Sequence, residues 1–359
     1  MKTIPFVLAG GKGERFWPLS RSSIPKQMLS LTSKKTMIEE TLERVKKACR
    51  PGVRPLIITG RDCARGIRRV LDSQCACDYI VEPVGKNTAP AVGCAAAWIR
   101  KKYGDAVMLV VSADHAISPV GSYVKAVRVA VARAQATDSL VVFGIRPTRP
   151  DVGYGYIHLG KNLPSSPGVT CYAVERFVEK PAISVARRYM ASGKYLWNSG
   201  MFVWKASVIL EEISRHMPKL HEQIVKLEKS GFSRHGLETF YKTCDKESID
   251  YGIMEKSSRI AAVCGTFFWD DIGSWDSMAR VHPKNRAGTV AVGGSLFERG
   301  TKDSIIYNSS NLAVAAVGLD TTVLVVTPDA VLAIARPLLP DLKKYIALMK
   351  EKKFPKELF

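Results

Sequence analysis

The first 145 residues alternate short, continuously apolar runs with longer stretches in which apolar and basic residues recur at helical spacing. The apolar runs suit strands of a sheet that is buried on both faces, and the stretches between them suit helices that cover it. The predicted strands are IPFVLA (4–9), PLIIT (55–59), DYIVE (78–82), AVMLVVSA (106–113) and SLVVFGI (139–145). This alternation predicts a doubly wound α/β sheet, in which ligands bind beyond the carboxyl ends of the strands.

A capping box marks the start of the first predicted helix. Thr36 stands three residues before Glu39, at the head of the stretch TMIEETLERVKKAC. In such a box each side chain satisfies a backbone N–H group of the first helical turn. Two Ala-rich stretches, APAVGCAAAWIRKKY and SYVKAVRVAVARAQA, predict further helices with basic outer positions.

The regular alternation ends after residue 145, and the composition changes again near residue 286. Short apolar runs then follow at intervals of about eight to twelve residues, and a helix is predicted over 340–352. The sequence therefore predicts a large α/β domain over residues 1–285 and a small β domain with a C-terminal helix over residues 286–359.

Composition narrows the class of protein. The chain has 359 residues, 46% of them apolar, and no apolar run long enough to span a membrane. The N-terminal apolar run is too short for a signal peptide, and the eight cysteines show no metal-ligand spacing, so we expect reduced cysteines and a cytoplasmic location. The net charge is +20, yet no nucleic-acid-binding motif accompanies it, and we interpret the charge as attraction of small polyanions.

The stretch LAGGKGERFWPLS follows the first predicted strand and matches neither a Walker loop nor a Rossmann fingerprint. Gly10, Gly11 and Gly13 allow backbone N–H groups to approach phosphate oxygens closely. Arg15 and Lys26 can neutralise a polyphosphate, the first as a planar fork and the second as a point charge. The pattern favours phosphate binding over an ordinary strand-to-helix turn.

Two aspartates stand at predicted strand ends, Asp114 in SADH and Asp271 in WDDIGSW. Carboxylates from distant segments can share Mg²⁺ that is bound to phosphate, although an aspartate after a strand can also be a helix cap. Asp270 competes with Asp271 for the role, and we interpret His115 as a packing or hydrogen-bonding neighbour. Polar residues among rings and glycines, in GYGYI (153–157), VEKP (178–181) and WNSG (197–200), suit sugar hydroxyls.

Together these segments resemble the sugar-nucleotide pyrophosphorylases, and most closely the bacterial mannose-1-phosphate guanylyltransferases (GDP-mannose pyrophosphorylases). The matching stretches run in the family's order from residue 8 to residue 275: LAGGKGERFWPLS, PKQ, EPVGKNTAPA, SADH, GYGYI, VERFVEKP, WNSGMFVW, DYGIMEKS and WDDIGSW. The glycine stretch identifies the superfamily, whereas EPVGKNTAPA and WNSGMF point to the guanylyl branch. The C-terminal β segment is similar to that family's short left-handed β-helix domain.

The resemblance implies a Rossmann-like (GT-A-like) nucleotidyltransferase domain with a mixed sheet flanked by helices, a left-handed β-helix domain, and a homodimer. It also implies that GTP and α-D-mannose 1-phosphate react, with Mg²⁺, to give GDP-mannose and pyrophosphate. The resemblance further implies which residues would bind each part of the substrates. The GTP phosphates would be bound by Gly10, Gly11, Gly13, Arg15 and Lys26, and guanine by Glu82, Gly85, Asn87 and Thr88. The metal would be bound by Asp114 and Asp271, and the sugar phosphate by Gly153, Glu179, Asn198 and Lys180. Arg15, Lys26, Asp114 and Asp271 would catalyse by positioning and charge neutralisation, without a nucleophilic side chain.

Other functions stay open. The same fold could act on another pair, such as glucose 1-phosphate with UTP, or bind nucleotide sugars as a non-catalytic regulator. Nucleic-acid binding through charge alone would be non-specific and strongly salt-dependent. Lys86 and Ile272 stand where the family often has Arg and Val. No cupin-like segment follows the β domain, so we expect no isomerase activity.

Overall fold

The apolar runs of the first half form strands and the stretches between them form helices, as the hydrophobic pattern predicts. The computed structural model describes residues 1–11, 13–72 and 75–359. The strands are β1 (Thr3–Leu8), β2 (Leu56–Gly60), β3 (Asp78–Glu82), β4 (Val107–Ser112), β5 (Ala116–Ser118), β6 (Leu140–Ile145), β7 (Tyr156–Leu163), β8 (Thr170–Val178), β9 (Tyr195–Lys205), β10 (Ile260–Cys264), β11 (Phe268–Asp270), β12 (Val290–Gly293), β13 (Leu296–Arg299), β14 (Ile305–Asn308), β15 (Val314–Val317), β16 (Thr322–Val326) and β17 (Val331–Ala335). The helices are α1 (Met37–Ala48), α2 (Arg61–Leu71), α3 (Thr88–Tyr103), α4 (Val120–Ala136), α5 (Ile183–Ser192), α6 (Ala206–His216), α7 (Pro218–Lys229), α8 (Arg234–Thr243), α9 (Met278–Val281) and α10 (Leu342–Glu351). Throughout the described residues, no helix combines the length and the apolar character needed to cross a membrane.

The predicted capping box is present at the start of α1. The backbone N–H of Thr36 donates to Glu39 Oε2 at 2.7 Å, and the backbone N–H of Glu39 donates to Thr36 Oγ1 at 3.4 Å. The helix therefore begins at Met37, where the sequence places it. In α3 the small residues permit close packing, since a Cβ at Gly93 would lie 2.6 Å from Ile224 Cδ1 of α7.

The described chain divides into two compact units. The large unit comprises Met1–Gly10, Thr41–Ala113 and Ile117–Trp269, and the small unit comprises Gly11–Glu40, Asp114–Ala116 and Asp270–Phe359.

The large unit is built on a nine-stranded sheet with the order β3-β2-β1-β4-β9-β6-β10-β8-β7. The first four strands of this order are parallel, as the continuous apolar runs predict, whereas β9 is antiparallel to both β4 and β6. The mixed sheet implied by the resemblance is thus confirmed. Its core includes the fully buried side chains of Phe6, Val142, Phe143 and Trp204.

The small unit has its own apolar core and two parallel ladders. Phe16, Leu31 and Trp275 are fully buried there. In one ladder β12, β14 and β16 pair in parallel, with β17 added antiparallel to β16, and in the other β13 pairs in parallel with β15. Up to β16, the chain therefore returns to each ladder in the same direction, and β17 alone reverses it.

Candidate functional site

In the small unit, one ammonium group joins the two predicted metal ligands. Lys26 Nζ lies 2.8 Å from Asp114 Oδ2 and donates to the backbone carbonyl of Asp271 at 2.7 Å. The Lys26 side chain is 10% exposed and that of Asp114 is 28% exposed. Burial acts to raise the pKa of Asp114, but the charges of Lys26 and His115 and the hydrogen bond from Lys26 outweigh it, so that the pKa lies below its ordinary value. The structure thus gathers an ionised carboxylate, a cation and a backbone carbonyl from three separate motifs.

The glycine loop of the small unit closes tightly on Lys26. Gly13 has φ = 64°, and a Cβ at this position would lie 2.4 Å from Lys26 Cβ, so that only glycine fits. The Gly13 carbonyl accepts a hydrogen bond from Ser20 Oγ at 2.7 Å. Lys12 of the same motif lies outside the described residues. The other predicted phosphate ligands are exposed: Gly10, Gly11 and Arg15.

The two aspartates that the sequence alone could not distinguish have different surroundings. Asp270 is 2% exposed, and its carboxylate accepts from Arg280 and from the backbone N–H of Ile272. These bonds use Asp270 to stabilise the turn, while the next residue, Asp271, is half-buried and meets Lys26 through its carbonyl.

The donors near Lys26 suit a cation that substrate oxygens also coordinate. Among the described residues, no three His, Cys, Asp or Glu side chains form a group that could hold a metal ion. Mg²⁺, however, is commonly held by one or two carboxylates together with substrate phosphates and water. The Asp114 carboxylate fits that mode, and Asp271 lies next to it through the contact of its backbone carbonyl with Lys26.

A second group of functional side chains lies in the large unit around Asp250. Asn198 Nδ2 donates to Asp250 Oδ1 at 2.9 Å, and Lys180 Nζ lies 3.1 Å from Glu179 Oε1. Burial, together with the charge of Glu179, raises the pKa of Asp250 to about 7, although Asn198 and Lys180 act in the opposite direction. Three predicted sugar-phosphate ligands thus surround an acid to which the sequence analysis gave no role, although it begins the stretch DYGIMEKS.

One carboxylate oxygen in this group, Glu179 Oε2, is buried and has no hydrogen-bond partner among the described residues. A Cβ at Gly155 would lie only 2.4 Å from that oxygen and 3.2 Å from Asn198 Cβ, so the glycine leaves room for the carboxylate. Burial raises the pKa of Glu179, and Lys180 opposes this effect. A buried acceptor without a donor suits the hydroxyl group of a polar ligand.

Arg149 organises the loop that carries Gly153, and the sequence analysis did not identify it. The guanidinium group lies 2.7 Å from Asp151 Oδ2, and Asp151 Oδ1 accepts from the backbone N–H of Gly153 at 2.8 Å. The same guanidinium group lies over the rings of Tyr154 and Trp197, at 5.7 and 5.0 Å from their centroids. Because Trp197 directly precedes Asn198, the arginine connects the Gly153 loop to the group around Asp250. The available signal was the arginine and aspartate in RPD, just before GYGYI.

The predicted guanine loop leads into the start of α3. Asn87 is the N-cap of this helix, with φ = 69°, and its side chain accepts from the backbone N–H of Thr88 at 2.9 Å. Thr88 Oγ1 accepts from the backbone N–H of Ile249 at 2.9 Å, which ties the loop to the residue before Asp250. Gly85 is exposed. Two of the four predicted ligands therefore also fix the local backbone.

Glu82, the last residue of β3, is buried at the base of this loop. Burial raises its pKa to about 7, against a smaller opposite effect of the Tyr241 hydroxyl. Its Oε1 atom has no hydrogen-bond partner among the described residues. Such an acceptor can receive a hydrogen bond from a ligand N–H group.

Comparison with known proteins places the whole chain among nucleotide-transferring enzymes. The family model for nucleotidyl transferase matches residues 4–288. A Vibrio cholerae relative, provisionally named a mannose-1-phosphate guanylyltransferase, is 40% identical over 97% of this chain and 74% of its own length. The mannose-1-phosphate guanylyltransferase of Klebsiella pneumoniae is 36% identical over the same shares. The crystal structure of a mannose-1-phosphate geranyltransferase from Thermus thermophilus is 35% identical, with a TM-score of 0.86 over 98% of this chain and 100% of that one.

Proposed function

The chain belongs to the nucleotidyl transferase family, and we propose that it transfers GMP from GTP to α-D-mannose 1-phosphate, giving GDP-mannose and pyrophosphate. An oxygen of the sugar phosphate forms the new bond to the α-phosphorus of GTP. The bond from that phosphorus to the oxygen bridging to the β-phosphorus breaks, and pyrophosphate leaves with the electron pair. Relatives at 36–40% identity over nearly the whole chain, named for this activity, support the proposal.

The observation that carries the proposal is the contact of Lys26 with both Asp114 and Asp271. In-line phosphoryl transfer needs fixed charges that neutralise the equatorial oxygens, and it needs no nucleophilic side chain. Lys26 is held in place by Gly13, and Arg15, two residues after that glycine, is exposed. We assign these side chains to the triphosphate, together with the backbone of Gly10, Gly11 and Gly13.

Mg²⁺ is the cofactor that we propose for Asp114 and Asp271. The ion would neutralise charge on the phosphate oxygens when it is bound. On the protein side, Asp114 is kept ionised by Lys26, which prepares the carboxylate for a cation. Asp271 contacts Lys26 beside Asp114, whereas Asp270 is 2% exposed and bonded to Arg280 and Ile272, and this difference in position supports the assignment of Asp271 over its neighbour.

For the sugar phosphate we propose the group around Asp250. Glu179 Oε2 would accept from a mannose hydroxyl, since it is buried without a partner among the described residues. Asn198 is oriented by Asp250, and Lys180 offers a cation for the phosphate. Gly153 would contribute backbone groups from the loop that Arg149 fixes.

For the base we propose the segment from Glu82 to Thr88. Guanine presents N–H donors, and Glu82 carries an acceptor without a partner among the described residues. Asn87 and Thr88 hold the loop in shape, and the exposed Gly85 leaves its backbone accessible. We therefore expect the loop to favour GTP over other triphosphates.

Several finer features remain proposals. The two parallel ladders of residues 290–326 support a left-handed β-helix, and the boundary between residues 285 and 286 is proposed from the change of composition. A homodimer and a cytoplasmic location are proposed from the resemblance and from the cysteine content.

The function is tested by pyrophosphate release in the presence of Mg²⁺. GTP, UTP, dTTP and ATP are each combined with mannose 1-phosphate and with glucose 1-phosphate. Release confined mainly to GTP with mannose 1-phosphate is the expected result. Preference for another pair would contradict the base-loop and sugar-pocket assignments but keep the reaction type, and no release with any pair would contradict the proposed activity.

A further inference from the structure

The loop that carries the predicted phosphate ligands is held by the C-terminal residues within the small unit. Trp17 Nε1 donates to the Leu358 carbonyl at 2.7 Å, and Arg21 Nη1 donates to the same carbonyl at 2.8 Å. The rings of Trp17 and Phe359 stack, with centroids 6.3 Å apart and planes 15° from parallel. The last helical turn (Lys356–Leu358) and Phe359 thus contact the loop just after Arg15.

The same tryptophan is also bonded to the segment that carries Asp271. Trp275 Nε1 donates to the Trp17 carbonyl at 2.9 Å, and the rings of Phe16 and Trp275 lie 5.2 Å apart. One residue therefore connects the glycine loop, the WDDIGSW segment and the C-terminal residues. A change in the packing of Trp17 is expected to change the position of Arg15, two residues earlier.

Arg21 adds a second anchor in the same place. Its side chain is 8% exposed and forms an ion pair with Asp329 at 2.7 Å besides its bond to Leu358. A buried guanidinium group needs partners for its donors, so the Leu358 carbonyl is part of its required set. Lys350 Nζ lies 5.1 Å from the centroid of the Phe359 ring and adds a further contact to that ring.

We propose that Leu358 and Phe359 form a brace that positions the phosphate-binding loop, so that affinity for the triphosphate depends on these C-terminal residues. They are positioning residues, because they act through Trp17 and Arg21 on a loop that touches the phosphates. The inference rests on the proposed function and adds residues to which the sequence motifs assign no role.

The test compares Phe359→Ala with Phe359→Trp, which keeps an aromatic ring for stacking, and with Phe354→Ala. Phe354 is a matched control, since it is 46% exposed and five residues away on the same segment. The dissociation constant of GTP is measured by calorimetry, and the KM values of GTP and mannose 1-phosphate and the thermal midpoint are measured in parallel. Loss of the aromatic stack is expected to weaken GTP binding roughly three- to tenfold, while the KM of mannose 1-phosphate stays within about twofold.

Phe359→Trp should restore GTP binding, and Phe354→Ala should bind GTP like the wild type. Trp17→Phe, which keeps a ring but loses the N–H donor to Leu358, should also weaken GTP binding. Wild-type affinity in Phe359→Ala would overturn the brace while leaving the proposed function intact. If the variants lose affinity for both substrates equally, and only in proportion to a fall in thermal midpoint, Phe359 has a purely structural role. That result would also overturn the brace. If the wild type binds no triphosphate, both proposals fall.

Discussion

Asp250→Asn should remove one contribution through which the stability of the protein falls as the pH rises. The substitution replaces a carboxylate by a neutral group of the same shape, and an amide oxygen can still accept the hydrogen bond from Asn198 Nδ2. Burial and the charge of Glu179 raise the pKa of Asp250 from 3.8 to about 7 in the folded protein. The folded state therefore binds this proton more tightly than the unfolded state does.

The sign and size of the effect follow from that difference. The contribution of Asp250 to stability falls as the pH rises from about 4 to about 7, because in this range the unfolded chain has lost the proton and the folded chain still binds it. Above about pH 7 this contribution levels off. One pKa unit corresponds to about 1.4 kcal/mol, so between pH 5 and pH 8 the wild type should lose about 2.5 kcal/mol relative to Asp250→Asn. For a domain of this size, the thermal midpoint of Asp250→Asn minus that of the wild type should therefore rise by roughly 5–10 °C between pH 5 and pH 8.

The assay is the thermal midpoint of both proteins at pH 5, 6, 7 and 8 in one salt concentration. Asp245→Asn is the control, because it makes the same substitution at an exposed carboxylate on the same segment. If the thermal midpoint of Asp250→Asn minus that of the wild type stays constant or falls as the pH rises, the reasoning is refuted.

Three further substitutions test the site itself. Asp271→Asn should lower the rate of pyrophosphate release roughly 100-fold or more with little change in thermal midpoint, and near-normal kinetics would remove the metal-ligand assignment. Gly155→Ala places a methyl group 2.4 Å from the present position of Glu179 Oε2, so the KM of mannose 1-phosphate should rise about tenfold; a change confined to GTP would contradict the sugar-pocket assignment. Arg149→Gln should also raise the KM of mannose 1-phosphate, and Arg149→Lys should not rescue it, because the planar fork both pairs with Asp151 and stacks on the rings; full rescue by lysine would show that charge alone suffices.

Local signals predicted the elements well where one short stretch of chain contains all the needed information. The start of α1 follows from Thr36 and Glu39 alone, and the structure confirms it. Strand β13 could not be predicted from an apolar run, because LFER alternates in burial over only four residues. The antiparallel insertion of β9 between β4 and β6 could not be predicted either, since it depends on pairing between distant segments.

The same distinction explains which parts of the candidate site the sequence could supply. Glycines and charged residues in one loop indicate phosphate binding, and the predicted roles of Arg15 and Lys26 remain predictions of that kind. The different surroundings of Asp270 and Asp271 depend on Arg280, whose guanidinium group donates a hydrogen bond to the Asp270 carboxylate. Asp250 gains its chemical interest from its surroundings, because burial and the charge of Glu179 raise the pKa of its carboxyl group to about 7 against the opposing hydrogen bond from Asn198. Because burial and charge act through space, the perturbed acid could be located only once the strands and turns that surround it were in place.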